Sequence, residues 1–372
     1  MKRIRILVGM GLGVLAVTLA LELLCRCLPV VSGLRVEPTG GEQRFSRYLP
    51  RLPYTYSFGW ALDNARQGRT NAQGFNNSAD FQDHAKVLVI GDSFIESLML
   101  DYPQTVQGNL DRMLGGGVYA ASASGNGLAD SLELARYYVP RMHPANVVLF
   151  VEETDVGGLL DAPGRGHSGF ALTPAGPVIE HHPYREAQAK QLALRSALVR
   201  YVYYNLKLRD WFQAQWAGST PAPAPAPEAT VPATAPEAAA PVPAQDAGLG
   251  ARAVALQYYL DQLHQLSAQS GVRFIFLVDG NRKAMYAGRA NGHLWPGQDR
   301  ELFIAAARRS GFAVVDTQPV FSQHWRDVHE RVDFLPMDGH WNGVAHRLAA
   351  QQLLPLLAPP AAASSFVGAN AL

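Results

Sequence analysis

The chain has 372 residues and a mass of 40.4 kDa, and 48% of its residues are hydrophobic. Its 32 basic and 31 acidic residues leave a formal net charge of +1. This balance excludes a nucleic-acid-binding surface spread over the chain, because phosphate neutralisation needs a basic excess. The two cysteines, Cys25 and Cys27, are too few to cross-link a chain of this size, which excludes a disulfide-based scaffold.

An apolar run near the N-terminus predicts a membrane anchor. The run extends from Ile6 to Leu24 and is interrupted by Thr18 and Glu22. As a helix it would be about 28 Å long, close to the hydrocarbon thickness of a bilayer. Basic residues precede the run, which predicts a cytoplasmic N-terminus and places the rest of the chain outside. We expect an uncleaved signal-anchor at residues 1–30; the alternative, a cleaved signal peptide, lacks a small-residue cleavage site after Leu24.

The segment 218–248 is rich in proline and alanine. Eight of the 25 prolines lie between Pro221 and Pro243. Proline fixes φ and removes a backbone donor, so the segment is predicted to be an extended, disordered insertion. A long surface insertion costs little closure entropy and need not separate two domains.

Short runs rich in β-branched residues alternate with helical periods along the rest of the chain. Continuously apolar strands alternating with helices predict an α/β fold with a parallel sheet covered on both faces. The runs have the same character on both sides of the insertion, so we predict one domain at residues 80–358. A lead-in segment at 31–79 would precede it and a flexible tail at 359–372 would follow it, and the closing helix is expected to stop at Pro355. The runs are Lys86–Gly91, Val118–Ala121, Asn146–Val151, Val272–Val278 and Phe312–Asp316.

A serine follows the first of these runs, where a parallel sheet binds its ligands. In Gly91-Asp92-Ser93 the glycine permits a tight turn, and Ser93 would open a helix beside free backbone N–H groups. Such a position suits a bound anion, or a nucleophilic serine whose own N–H helps to hold an oxyanion. Taken alone, the motif is explained as well by an N-cap serine.

A candidate partner for this serine lies near the other end of the chain. Asp338 and His340, separated by a glycine, precede the final helical segment. A serine hydroxyl needs a base to take its proton, and a histidine needs an acceptor that fixes its tautomer. We therefore predict a triad of Ser93 as nucleophile, His340 as base and Asp338 as the group that orients the imidazole.

These motifs together resemble the SGNH (GDSL-type) hydrolase family over about residues 70–357. Gly91-Asp92-Ser93 is similar to the block that supplies the nucleophile, and Gly125 lies where a family glycine donates its N–H to the oxyanion. Asp338–His340 with Trp341-Asn342 is similar to the last block, and Thr70–Phe75 (TNAQGF) resembles a segment of membrane-anchored bacterial members. The resemblance implies a flavodoxin-like, three-layer α/β/α fold, and the apolar runs indicate about five parallel strands. No cofactor is expected, and no metal, because His181-His182 has no third or fourth ligand at zinc spacing.

Two positions depart from the family pattern. Thr154 stands where the family has an asparagine that donates to the oxyanion, and a threonine has one shorter donor. The expected donors are therefore the N–H groups of Ser93 and Gly125, with Thr154 or Asn126 as the third. The Asp-x-His spacing resembles SGNH-like domains of alginate O-acetylation proteins, in which the pair precedes the serine.

The resemblance implies a serine esterase or O-acyltransferase acting on O-acetyl groups of a cell-envelope or exported polysaccharide. The protein would sit in a bacterial inner membrane through residues 6–24, with its catalytic domain in the periplasm or outside the cell. Its expected partners are the acylated carbohydrate, the bilayer and a membrane acyltransferase, and no nucleic acid. The alternative is a catalytically degenerate protein of the same fold that binds glycan or scaffolds an envelope polysaccharide assembly.

Overall fold

The computed structural model describes residues 2–80, 83–208, 244–286, 299–335 and 337–357 of the chain. Apart from one 3₁₀ turn (Tyr102–Gln104) and one π-helical turn (Tyr201–Asn205), its regular elements are helices and strands. The strands are β1 Pro53–Phe58, β2 Asp63–Arg69, β3 Val87–Gly91, β4 Val118–Ser122, β5 Asn146–Val151, β6 Ser168–Thr173, β7 Gly176–His181, β8 Arg273–Val278, β9 Ala313–Asp316, β10 Asp333–Phe334 and β11 Asp338–Trp341. The helices are α1 Lys2–Cys27, α2 Ser93–Glu96, α3 Val106–Leu114, α4 Leu128–Met142, α5 Glu153–Gly157, α6 Gln188–Ala193, α7 Ala197–Arg200, α8 Ala244–Ser270, α9 Arg282–Tyr286, α10 Asp299–Arg309, α11 Gln318–Val328 and α12 Gly343–Leu357.

Five strands form one parallel sheet in the order β4-β3-β5-β8-β9. These are the five apolar runs, so the predicted α/β fold with a parallel sheet is confirmed. Strands from both sides of residues 209–243 belong to this sheet, because β5 pairs with β8 from Asn146↔Arg273 to Val151↔Val278. The parallel arrangement places the carboxyl ends of all five strands at one edge.

Helices cover both faces of the sheet. Side chains of β3 alternate between two apolar clusters, with Leu88 and Ile90 in one and Val87 and Val89 in the other. Helices α4, α8 and α10 contribute to the first cluster, and α3, α11 and α12 to the second. Full burial of one such aliphatic side chain stabilises the fold by roughly 1.5–3 kcal/mol. Because both faces of these strands are buried, apolar residues are favoured at every position, and the strands appear in the sequence as unbroken apolar runs.

The ends of two helices differ from the sequence-based expectation. Helix α12 continues through Pro355 to Leu357, so the predicted stop at Pro355 is wrong. An interior proline costs about 3 kcal/mol, and burial of Leu353 and Leu357 against the sheet offsets this cost. Helix α8 begins at Ala244, so the last five residues of the predicted insertion 218–248 are helical. Residues 218–243 and 359–372 lie outside the described residues.

Among the described residues, three antiparallel strand pairs form two-stranded sheets separate from the parallel sheet, and one of them, β10 with β11, carries Asp338 and His340. Strands β1 and β2 pair within the lead-in segment, and β6 pairs with β7 between β5 and α8. Helix α1 has 26 residues and a mean hydropathy of 2.2 over its most apolar window, none of which is buried. The helix is long and apolar enough to cross a membrane, and a signal sequence would meet the same two criteria.

The carboxyl-terminal end of α1 is held to the short helix α7. Glu22 accepts hydrogen bonds from Ser196 Oγ at 2.6 Å, Leu198 N at 2.9 Å and Ala197 N at 3.1 Å. The carboxylate thus satisfies backbone donors at the N-terminus of α7, where such donors have no partner in the helix. Cys25 is buried against Val30 and Ala197 beside this contact. The apolar helix is therefore fixed to the rest of the protein at its carboxyl-terminal end.

Candidate active site

Ser93 lies at the carboxyl edge of the sheet, in the sharp turn between β3 and α2. A Cβ on Gly91 would lie 2.4 Å from Ile95 Cγ1 and 3.0 Å from Phe150 Cβ, so this turn has room for glycine alone. Asp92 caps the helix, because its Oδ1 accepts a hydrogen bond from Phe94 N at 2.8 Å. The turn places Ser93 at the first position of α2, where its own N–H has no partner in the helix.

The structure brings Ser93, His340 and Asp338 into one hydrogen-bonded chain. His340 Nε2 lies 2.8 Å from Ser93 Oγ, although 247 residues separate the two in sequence. His340 Nδ1 donates to Asp338 Oδ1, which also accepts the backbone N–H of His340 at 2.9 Å. The Asp-x-His spacing therefore closes a tight turn in which the carboxylate fixes both the backbone and the ring of the histidine.

Aromatic side chains hold the imidazole in place. The Phe94 ring centroid is 4.7 Å from that of His340. Trp341, the next residue, is fully buried and donates its indole N–H to Asp279 Oδ1 at 2.8 Å. The histidine is thus packed from one side and anchored through its neighbour on the other.

The electrostatics of the pair favour a charged histidine beside a charged aspartate. Burial lowers the pKa of His340, but the hydrogen bond and the charge of Asp338 outweigh burial and hold that pKa above 6.5. For Asp338, burial raises the pKa, and the hydrogen bond and charge of His340 bring it below 3.8. The imidazolium that forms when Ser93 loses its proton is stabilised by this arrangement.

Gly125 follows β4 in a turn beside Ser93. Its φ is +86°, a left-handed conformation that favours glycine. In the hydrogen-bond network of the described residues, neither the N–H of Gly125 nor that of Ser93 has an acceptor. Two unpartnered N–H groups next to a serine hydroxyl are the elements of an oxyanion hole.

Each of the two side chains that the sequence suggests as third donors already makes one hydrogen bond elsewhere, and of the two only Asn126 has a second donor hydrogen. The Thr154 hydroxyl donates its single hydrogen to the carboxylate of Glu152. Asn126 Nδ2 donates to the carbonyl oxygen of Gly91 at 3.2 Å, and the residue is 5% exposed. Both side chains lie in the wall of the cavity that contains Ser93.

A buried glutamate supports the loop that carries Gly125. Glu96 is fully buried in α2, and its Oε2 accepts hydrogen bonds from the backbone N–H of Ser124, at 2.9 Å, and from the Ser124 hydroxyl. Burial raises the pKa of Glu96 to about 6, although the bonds from Ser124 lower it. Sequence reasoning missed this residue, although its place three residues after Ser93 puts both on one helical turn.

A cavity of about 400 Å³ opens at Ser93 and is rich in carboxyl groups. Burial, then the charge of Glu152, raises the pKa of Asp92 to about 7. Burial, then the charge of Asp92, holds the pKa of Asp155 well above its usual value. The neutral forms of Asp92 and Asp155 are therefore favoured, because burial and neighbouring negative charge both disfavour the carboxylates.

A second histidine–aspartate pair, also missed by sequence reasoning, lines the same cavity. His167 Nδ1 donates to Asp130 Oδ2 at 3.1 Å, and Asp130 is 1% exposed. The far edge of the His167 ring faces Gly125: a Cβ on that glycine would lie 3.3 Å from both Cε1 and Nε2. The two residues of the pair are 37 apart in sequence, in segments without a motif, so no sequence signal could have joined them.

The chain matches no family model, and a search of curated proteins gave no match. Among solved structures, the α/β hydrolase LAE5 from the metagenome of Lake Arreo, Spain, is 14% identical with a TM-score of 0.38, covering 74% of this chain and 96% of that one. The acetyl xylan esterase AlAXEase is 10% identical with a TM-score of 0.38, covering 73% and 98%. A carbohydrate esterase family 2 enzyme of Corynascus thermopiles (Myceliophthora fergusii) is 13% identical with a TM-score of 0.35, covering 79% and 71%. Similarity at this level does not transfer a reaction or a substrate to this chain.

Proposed function

We propose that this protein is a serine esterase or O-acyltransferase of the SGNH type. The observation that carries the proposal is the chain of hydrogen bonds from Ser93 Oγ through the imidazole of His340 to Asp338. Two unpartnered N–H groups lie beside these three residues. The nucleophile, the base, the orienting acid and the oxyanion donors that acyl transfer needs are therefore together in one place.

The reaction would proceed in two half-reactions. Ser93 Oγ attacks the carbonyl carbon of an ester while His340 takes the hydroxyl proton, and the N–H groups of Ser93 and Gly125 hold the oxyanion. The tetrahedral intermediate expels the alcohol, which receives the proton from His340, and an acyl-serine remains. Attack by water then gives hydrolysis, and attack by a sugar hydroxyl gives transfer. His340 removes the proton of the attacking group and gives it to Ser93 Oγ as the acyl–serine bond breaks, which regenerates the free serine.

We propose an O-acetylated carbohydrate as substrate. The cavity at Ser93 has room for a sugar unit, and its polar wall of carboxyl and backbone groups is suited to bind hydroxyls. A membrane acyltransferase is the proposed source of acyl groups if transfer is the reaction. Helix α1 would anchor the protein in a bacterial inner membrane, with basic residues on the cytoplasmic side and the site in the periplasm or outside the cell.

Hydrolysis of p-nitrophenyl acetate by the full-length protein in detergent tests the proposal. Wild type is expected to hydrolyse the ester, and Ser93→Ala to lose the activity by three orders of magnitude or more, since the nucleophile itself is removed. Ser322→Ala is the matched control, because Ser322 lies on α11 and is bonded to Gln318 of the same helix. Retention of activity in Ser93→Ala would contradict the proposal.

The alternative is a catalytically degenerate protein that binds glycan or scaffolds an envelope polysaccharide assembly. The engagement of the Thr154 hydroxyl by Glu152 favours it, because an expected oxyanion donor is lost. This alternative predicts that wild type and Ser93→Ala are equally inert towards esters and bind acetylated polysaccharide equally well.

A further inference from the structure

We propose that His167, paired with Asp130, completes the oxyanion hole of Ser93 by donating its Nε2–H to the substrate oxyanion. This role rests on the proposed esterase or acyltransferase function. It assigns a catalytic contact to a histidine outside the Ser93–His340–Asp338 chain.

The position of the ring is the first support. His167 and Ser93 line the same cavity, and the Cε1–Nε2 edge of His167 lies against Gly125, whose N–H is one of the two proposed oxyanion donors. The imidazole side chain is 19% exposed, so it is in contact with the cavity without being free in solvent. An oxygen bound by Gly125 N–H would therefore lie next to a ring nitrogen.

The rigidity of the ring is the second support. Asp130 accepts Nδ1–H of His167 at 3.1 Å and also the backbone N–H groups of Ser168, at 2.8 Å, and Gly127, at 3.1 Å. The carbonyl oxygen of His167 accepts the backbone N–H of His182 at 3.0 Å. The backbone and the ring are thus fixed before substrate arrives, which is the condition for strong transition-state stabilisation by a donor.

The charges around His167 favour its role as a donor. With Nδ1–H given to Asp130, Nε2 bears a proton in the imidazolium form. On the cavity side, Asp161 contributes a carboxyl group, whereas the raised pKa of Asp155 favours its neutral form. His181 of β7 interacts electrostatically with His167, Arg44 and Glu133, and burial lowers the pKa of His181 and so favours its neutral form. Asp130 accepts the Nδ1–H of the ring, so donation from Nε2 uses the doubly protonated imidazolium, whose positive charge would lie beside the Asp130 carboxylate.

The need for another donor is the third support. Thr154, at the position of the family's asparagine, has its only hydroxyl hydrogen on Glu152. Without His167 the oxyanion would be held by two backbone N–H groups and, at most, the second Nδ2 hydrogen of Asn126, whose other hydrogen is donated to Gly91. The His167 imidazolium would supply both a third hydrogen bond and a positive charge next to the developing negative charge.

The test compares two substitutions of His167 in the full-length protein with p-nitrophenyl acetate as substrate. His167→Phe keeps the ring volume against Gly125 and removes the donor, and we expect kcat to fall about 100-fold or more with KM little changed. His167→Gln retains an N–H near the same place and should recover a part of the loss. His264→Phe is the matched control, because His264 lies on α8 and bonds the carbonyl of Ser310.

An alkyl boronic acid, which forms a tetrahedral adduct with an active serine, gives a second measurement. Its affinity should fall in His167→Phe in parallel with kcat, because the adduct places an oxygen in the oxyanion hole. Unchanged kcat and unchanged boronate affinity in a folded His167→Phe would overturn the inference while leaving the esterase proposal intact. A change in KM alone would also overturn it, since it would assign His167 to substrate binding. A wild type that neither hydrolyses the ester nor binds the boronate would contradict the proposed function, and this role with it.

Discussion

At the scale of single residues, the pair of His340 and Asp338 determines how activity should depend on pH. Because the pKa of His340 is held above 6.5, its neutral, proton-accepting form is lost as the pH falls through that raised value. We therefore expect kcat/KM for p-nitrophenyl acetate to decline below a midpoint that lies above pH 6.5.

Asp338→Asn tests the cause of this midpoint. Loss of the negative charge should move the acid limb of the pH profile to lower pH, and kcat should fall by roughly 10⁴ as in a comparable triad, because the amide favours the wrong tautomer. Asp327→Asn, at an exposed position on α11, should leave both the limb and kcat unchanged. An acid limb that stays in place in Asp338→Asn would show that another group titrates.

A second residue-scale prediction concerns the buried carboxyl of Glu96. With a pKa of about 6 in the folded protein against 4.5 in the unfolded chain, Glu96 binds protons more strongly when folded, so stability is lost as the pH rises between these values. The difference corresponds to about 2 kcal/mol of unfolding free energy.

Glu96→Gln cannot titrate and should escape this loss. Relative to wild type, the variant should gain about 2 kcal/mol of unfolding free energy between pH 4 and pH 8, as measured by urea denaturation at each pH. Glu180→Gln, at an exposed position of β7, should show no such change. A pH-independent difference between Glu96→Gln and wild type would contradict the raised pKa.

At the scale of elements, the sequence predicted the strands whose side chains are buried on both faces and missed elements that are exposed or that depend on tertiary contacts. The strands of the parallel sheet are apolar on both faces, so β3, β5 and β8 stand out as unbroken runs. Strand β2 (DNARQGR) has no buried residue, so its sequence contains no apolar alternation to mark it. Helix α12 continues past Pro355 because burial of Leu353 before the proline and of Leu357 after it stabilises the last turn, a tertiary effect that local propensity does not contain.

The same distinction applies to the site. Ser93, Gly125, Asp338 and His340 lie in recognisable motifs that follow or precede the strands and helices of the sheet domain, so the sequence could select them as candidates for one site; their roles stay predictions. Glu96 and the pair of Asp130 and His167 act through contacts between separate segments, and only the folded chain shows them. Asn126 and Thr154 were placed at the cavity by the sequence, whereas their hydrogen-bond partners could not be inferred from it.

At the scale of the whole molecule, the orientation of α1 predicts which cysteine an external reagent can reach. Cys27, at the outer end of α1, is exposed, whereas Cys25 is buried. A membrane-impermeant maleimide applied to intact spheroplasts should therefore label the full-length protein at Cys27, and Cys27→Ser should remove the labelling.

A control variant tests on which side of the membrane the N-terminus lies. Lys2→Cys in the Cys27→Ser background should be labelled after permeabilisation alone, because the N-terminus would face the cytoplasm. Labelling of this variant in intact spheroplasts would reverse the proposed topology. Labelling of a shortened product would instead indicate cleavage of the N-terminal segment.

If α1 is the proposed membrane anchor, the contact between Glu22 and α7 also limits the distance from the membrane at which Ser93 could act. A domain joined to its membrane anchor by a long, flexible linker could reach substrate at any distance from the membrane up to the length of the linker. Here the last turns of the anchor are fastened directly to the folded body, so Ser93 would stay at one height and one tilt above the lipid surface. A protein with the proposed function and anchor would then reach only those ester groups that come within this fixed distance of the membrane.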